Sequence, residues 1–192
     1  DLAAEQRRQA LFELGQDYLK AGLLDRAEEA FAKLRDGPQR LDALKHLLEI
    51  YQQEKEWEKA IEVTRSLEKE TGQYWQKEVA EFRCEMAAVE ATHSRPDSAR
   101  AQLEEALKEN RKCVRASIQL GDLAAAAGHH DEAIEHWKRV ETQNPVFLAL
   151  VAHRLLKSFQ ALGQPASGLT LLRGYLASSP SLDLLDVAFQ ST

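Results

Sequence analysis

The side chains best equipped for chemistry are three histidines, His129, His130 and His136, and two cysteines, Cys84 and Cys113. Imidazoles and thiolates bind zinc, and a thiol beside a histidine base is a nucleophile. Neither arrangement is spelled out here. His129 and His130 are adjacent, and no fourth ligand stands at a zinc-site spacing, so the three read as turn and surface histidines. Cys84 lies in Phe82-Arg83-Cys84-Glu85-Met86, with no motif that supplies a base. Neither cysteine belongs to a CxxC pair, so both read as packed or groove-facing residues of helices. Phosphate loops, HExxH and GxSxG are missing as well. No catalytic residue, cofactor or metal is expected in this chain. Glu54-Lys55-Glu56 and Glu68-Lys69-Glu70 read as solvated helix faces with charges paired one turn apart.

Composition points to helices. Among 192 residues there are 9 Gly and 5 Pro, too few for a loop-rich or all-β chain. Ala, Leu, Glu, Lys, Arg and Gln dominate, and these favour helix. Charged residues make up 29% and the net charge is −6, against the basic footprint of a nucleic-acid binder. No stretch approaches the roughly 20 apolar residues of a membrane-spanning helix, and no secretory signal is present. A reducing, cytoplasmic setting is the simpler reading. The chain starts at Asp1 without a methionine and is expected to be part of a longer protein.

Positioning elements emerge from an internal repeat. Leu14-Gly15-x-x-Tyr18 is followed by Gly22, Ala27 and Phe31. Leu120-Gly121-x-x-Ala124 is followed by Gly128, Ala133, Trp137 and Pro145. Leu155-Leu156-x-x-Phe159 is followed by Gly163, Gly168, Leu172 and Pro180, and Leu47-Leu48-x-x-Tyr51 by Ala60 and Leu67. A degenerate copy contributes Ala99, Leu103 and Ala106. The small residue of each second half falls at Ala27, Ala60, Ala99, Ala133 and Gly168, in steps of 33, 39, 34 and 35. That is the period of about 34 residues of the tetratricopeptide repeat. The predicted fold is all-α: a tetratricopeptide-repeat right-handed superhelix, or α-solenoid. Five helix-turn-helix units are expected over about 8–40, 41–74, 75–113, 114–147 and 148–180, in one domain spanning 1–192. A terminal helix is expected over 181–190.

The spacing has a physical cause. Two antiparallel helices approach closely only where one or both carry a small residue, and over-packing there costs about 1–3 kcal/mol. Gly15, Leu48, Ala87, Gly121 and Leu156 take that place in the first helices. Gly22, Gly128 and Gly163 are expected to end first helices in the left-handed conformation. Asp25, Asp97 and Asp131 are expected to N-cap second helices. The long step of 39 places extra residues around Thr71-Gly72-Gln73-Tyr74.

First helices of such arrays line a concave face. Helical spacing puts Phe12 and Gln16 there from the first unit, Lys45 and Glu49 from the second, and Glu81 beside Cys84 from the third. Arg115, Ile118 and Asp122 follow from the fourth, and Arg154 and Lys157 from the fifth. These ten are the candidate partner-binding residues. The middle is acidic through Asp42, Glu49 and Glu81, and the end basic through Arg115, Arg154 and Lys157. Such polarity would orient a bound segment. Gln16, Glu49, Ala88, Asp122 and Lys157 stand where a carboxylate-clamp asparagine is wanted, which argues against that clamp.

Finer motifs resemble one family. Leu14-Gly15-Gln16-Asp17-Tyr18 with Gly22-Leu23-Leu24-Asp25-Arg26-Ala27-Glu28 is similar to the lipopolysaccharide assembly protein B family. So are Leu47-Leu48-Glu49-Ile50-Tyr51 with Glu56-Trp57-Glu58-Lys59-Ala60-Ile61, Glu78-Val79-Ala80 with Phe82 and Cys84-Glu85, and Arg115-Ala116-Ser117-Ile118. The resemblance covers most of residues 8–145 and weakens beyond. It implies an adaptor at the cytoplasmic face of the bacterial inner membrane. The implied partners are proteins: a membrane-anchored AAA+ protease, the deacetylase that commits the cell to lipid A, and an opposing inner-membrane protein. It also implies that the longer parent carries a membrane anchor and a rubredoxin-type metal domain. Neither is present in these residues, for which no membrane insertion is expected. The competing reading is a general repeat scaffold or co-chaperone.

Overall fold

Strong helix formers fill the chain, and the computed structural model, which describes residues 2–191, is helical almost throughout. The α-helices are α1 (Leu2–Lys20), α2 (Leu24–Ala32), α3 (Arg40–Glu54), α4 (Trp57–Thr71), α5 (Gln76–Thr92), α6 (Pro96–Glu109), α7 (Val114–Ala126), α8 (His130–Gln143), α9 (Leu148–Ala161), α10 (Pro165–Ser178) and α11 (Leu182–Gln190). A 3-10 turn, Pro145–Phe147, precedes α9. Among the described residues there is no strand. The all-α tetratricopeptide architecture is therefore the observed one.

The helices fall into two compact units, Asp1–Trp75 and Gln76–Thr192. Within the first, α1 packs on α2, α2 on α3 and α3 on α4. Within the second, consecutive helices again pair from α5 to α10, α5 also meets α7, and α11 lies on α9 and α10.

The crossing residues are buried as their size requires. Ala27, Ala60, Ala99 and Ala133 are wholly inaccessible, and Gly168 is buried. Gly15 and Gly121 are buried opposite them. A β-carbon on Gly15 would lie 2.9 Å from the Phe31 ring, so the glycine makes room for that ring. Leu156 is only half-buried, yet its Cδ2 closes the crossing with Phe159, 3.2 Å from where a β-carbon on Gly168 would lie.

One turn recurs in all five pairs. Leu23 N–H donates to Tyr18 and Gly22 N–H to Leu19, the paired bonds of a Schellman motif. The same two bonds recur at Lys55 and Glu56, at Ser94 and Arg95, at Gly128 and His129, and at Gly163 and Gln164. The left-handed residue stands five positions before the crossing residue each time. Three are glycines, but Lys55 at φ 59° and Ser94 at φ 57° are not.

Helix starts differ from the sequence expectation. The N-cap positions are Leu23, Arg95 and His129, none with a side-chain cap bond, and Asp25, Asp97 and Asp131 lie inside the first turn. The tight turn brings each helix in two residues early. The carboxylates there face the positive helix end instead of capping it. Ser181 does cap α11, its hydroxyl accepting from Leu184 N–H at 3.1 Å. After α4, Gly72 takes φ 68°, and Trp75 N–H donates to Glu68 Oε1 at 3.0 Å.

Candidate protein-binding groove of the second unit

The face built by α5, α7 and α9 carries a groove of about 610 Å³. Its floor is apolar, made by Val114, Ile118, Phe147 and Leu150. Its rim is polar: Lys77 and Glu81 from α5, Asn110 and Lys112 from the loop between α6 and α7, Arg115 and Gln119 from α7, and Gln143 and Asn144 from the end of α8. Leu150 is 52% exposed and Phe147 40% exposed. Pro145 starts the 3-10 turn that carries Phe147 to the groove, and Asn144 Oδ1 accepts from Val146 N–H at 3.2 Å to hold that turn. A second, smaller depression of about 310 Å³ runs between Ala87, Ala88 and Ala91 of α5 and Asp122 and Leu123 of α7. Gln119 borders both.

Electrostatics on this face are largely satisfied from within. Arg115 reaches Glu85 at 2.7 Å and Glu81 at 3.4 Å, tying α7 to α5. Gln119 extends this bridge, with its amide nitrogen 3.2 Å from the Cys84 carbonyl and its oxygen 3.2 Å from Arg115 Nε. Arg154 of α9 holds Asp122 of α7 at 2.8 Å and also donates to the Leu150 carbonyl. Lys157 lines a separate depression with His153, Leu156 and Gln160. The three bases expected to act together therefore do not converge. Two are spent on carboxylates of the neighbouring first helix, a pairing that one-helix spacing does not reveal. The cations left on the groove rim are Lys77 and Lys112, which sequence reasoning missed. Their signal was faint: one opens α5 and the other sits in a loop.

The remaining candidates lie in the first unit. Phe12 is half-buried, with its ring 5.7 Å from Phe31 and 5.6 Å from His46, while His46 stacks on Phe31 at 4.7 Å. That cluster joins α1, α2 and α3, so Phe12 serves packing. Gln16 is half-buried beside it. Lys45 lies 3.7 Å from Asp42, and Glu49 lies 3.7 Å from His46, all on α3. Tyr51 is buried; its hydroxyl donates to Glu28 at 2.8 Å, and burial, then Glu28, pushes its pKa up to about 12.

Of the histidines near α8, two share Glu132 and the third turns to Ser158. His130 Nδ1 is 3.0 Å from the Ser158 hydroxyl, His129 is 3.7 Å from Glu132, and His136 Nε2 is 3.4 Å from Glu132. Among the described residues no three His, Cys, Asp or Glu side chains gather as a metal site. The cysteines do meet: Cys84 Sγ and Cys113 Sγ are 3.8 Å apart and both buried. Helical spacing puts Cys84 on the concave line, but it points into the core, 0% exposed, because helix α7 covers it.

A family model for the tetratricopeptide repeat matches residues 3–74 and 84–145. The chain belongs to the tetratricopeptide-repeat family. It is 34% identical to lipopolysaccharide assembly protein B of Escherichia coli (strain K12) over 183 residues, which is 95% of this chain and 47% of that protein. The namesake of Haemophilus influenzae is 34% identical over 161 residues, 83% of this chain and 40% of its own. The resemblance read from the motifs thus runs through nearly the whole repeat region, past the point where the motifs fade. The chain spans less than half the length of either relative. Among solved structures, a MamA protein matches with a TM-score of 0.54 at 19% identity, over 88% of this chain and 90% of that one. YrrB, described as a tetratricopeptide-repeat protein with an unusual peptide-binding site, matches at 0.52 and 16% identity, over 94% and 90%. These two share the fold. No helix among the described residues is long and apolar enough to cross a membrane.

Proposed function

We propose that this chain is the protein-binding repeat region of a regulator of lipopolysaccharide assembly, acting without catalysis of its own. The observation that carries this reading is the likeness to lipopolysaccharide assembly protein B along 95% of the chain. The groove on α5, α7 and α9 gives it a physical basis. An apolar floor with a few polar groups on its rim suits an extended or helical segment of another protein. Lys77 and Lys112 favour an acidic residue beside the apolar anchor.

Within this reading the longer protein sits at the cytoplasmic face of the inner membrane, with a rubredoxin-type metal domain outside these residues. Its partners are a membrane-anchored AAA+ protease, the deacetylase that commits the cell to lipid A, and an opposing inner-membrane protein. The test is a chimera in which these repeats replace those of the Escherichia coli relative. The chimera should keep the deacetylase at its normal level in cells lacking that relative. A folded, abundant chimera that lets the deacetylase accumulate would overturn the reading and favour a scaffold for some other assembly.

A further inference from the structure

We propose that Cys84 and Cys113 are a thiol pair that a small peroxide converts to a reversible disulfide, tying α5 to the start of α7. The two sulfurs are in van der Waals contact at 3.8 Å, against about 2.0 Å in a disulfide, although 29 residues separate them in sequence. The helices that carry them, α5 and the start of α7, already pack together. A rotation of the cysteine side chains with a small approach of the two helices closes the bond.

The two thiols are unlike, and the difference assigns their roles. Cys113 is the N-cap residue of α7 and borders the groove, where it is 2% exposed, so of the two sulfurs it is the one a small peroxide meets from the groove. Either sulfur can donate to the other, and Cys113 Sγ also donates to Glu81 Oε1 at 3.6 Å; the contact with Cys84, together with the Ala116 N–H at the helix start, holds the Cys113 thiol below its usual range despite burial and Glu81. Cys84 is wholly inaccessible, and its bond to Cys113 and then burial push its thiol far up. Thiolates at helix starts are the reactive ones. Cys113 therefore attacks first, and Cys84 resolves.

The step balances. The Cys113 thiolate forms an S–O bond to one peroxide oxygen, the O–O bond breaks, and the leaving hydroxide takes up the proton Cys113 lost, giving water. Cys84 Sγ then attacks the sulfenic sulfur, the S–S bond forms, the S–O bond breaks, and a second water leaves with the Cys84 proton. Two thiols lose two electrons and the peroxide gains them. A dithiol reverses the reaction by exchange.

The test uses the whole chain, reduced, freed of reductant, and exposed to hydrogen peroxide while folded. It is then alkylated with N-ethylmaleimide in denaturant and weighed intact. The expected product is a monomer lighter by two hydrogens that takes no maleimide, keeps its helical circular dichroism, melts at higher temperature, and regains both thiols with dithiothreitol. Oxidation of Met86, the chain's one methionine, adds an oxygen instead and is told apart by mass. In Cys84→Ser, dimedone should label Cys113; in Cys113→Ser, Cys84 should resist it. The proposal is overturned if the folded wild type still takes two maleimides after peroxide, if its disulfide joins two chains, or if Cys84 takes dimedone as fast as Cys113.

Discussion

Trp137 fills the space that a β-carbon on Gly121 would need, and its indole N–H donates to the Ile118 carbonyl at 3.1 Å. A methyl group at Gly121 would overlap the indole Nε1, Cδ1 and Cε2 atoms. Trp137 is 2% exposed and has nowhere to retreat. Gly121→Ala should therefore destabilise the second unit by about 2–3 kcal/mol, at the upper end for over-packing. Ala133→Trp should do at least as much at the other side of the same crossing. Urea titration followed by circular dichroism measures both, and an unchanged midpoint would refute the crossing geometry.

Ser94 and Lys55 hold left-handed turns that three sister turns give to glycine. For a residue with a β-carbon that conformation costs about 1–2 kcal/mol, part of which glycine returns as extra freedom in the unfolded chain. Ser94→Gly and Lys55→Gly should each stabilise by about 0.5–1 kcal/mol, seen as a higher melting temperature. A loss of stability would mean that the side chains contribute contacts which the turn geometry does not reveal.

These turns show what the sequence disclosed and what it hid. In-phase small residues made the five crossings readable, since Ala or Gly is the only way to bring two helices so close. Gly22, Gly128 and Gly163 made three turns readable for the same kind of reason. Lys55 and Ser94 were invisible, because nothing in their chemistry advertises positive φ. The counting rule, five residues before each crossing, would have found them. Of the candidate site, Glu81, Arg115 and Ile118 do line the groove. Helical period fixes which face a residue takes. It does not report that a carboxylate on the preceding first helix already holds Arg115 or Arg154, or that a 3-10 turn brings Phe147 to the groove.

Those ion pairs change what charge reversal should do. Arg154 and Asp122 are each about two-fifths exposed, so their bond contributes on the order of 0.2–1 kcal/mol. Arg154→Glu should lower stability by about that much or slightly more, through repulsion from Asp122. Adding Asp122→Arg should restore it. Thermal melts of the two single variants and the double variant close the cycle, and strict additivity would show that the pair carries no coupling.

His136 should give the fold a pH dependence near neutrality. Burial lowers its pKa below the ordinary value of 6.5, against the pull of Glu132 and with help from Arg139 and Arg100. The unfolded chain then binds the proton more readily than the folded one. Stability from this group is complete above about 6.5 and falls as pH drops from there toward the lower folded pKa. The neighbouring Glu132 carboxyl, held low by Arg100, loses its contribution only at more acid pH, below its ordinary 4.5. His136→Gln should flatten the upper part of the profile in urea titrations at a series of pH values, and an unaltered slope between pH 7 and 5 would contradict this.

The central claim is that the groove on α5, α7 and α9 holds a segment of a partner protein. Leu150→Glu with Lys112→Glu tests it most directly. Both residues are exposed, neither is joined to another side chain by an ion pair among the described residues, and both line the groove. The measurement is the affinity of the purified chain for the partner proteins proposed above, with wild type and double variant matched for helicity and melting temperature. The account predicts at least a tenfold weaker complex, about 1.4 kcal/mol, as expected when an apolar anchor and a steering charge are both inverted. A folded double variant that binds as tightly as wild type would contradict it.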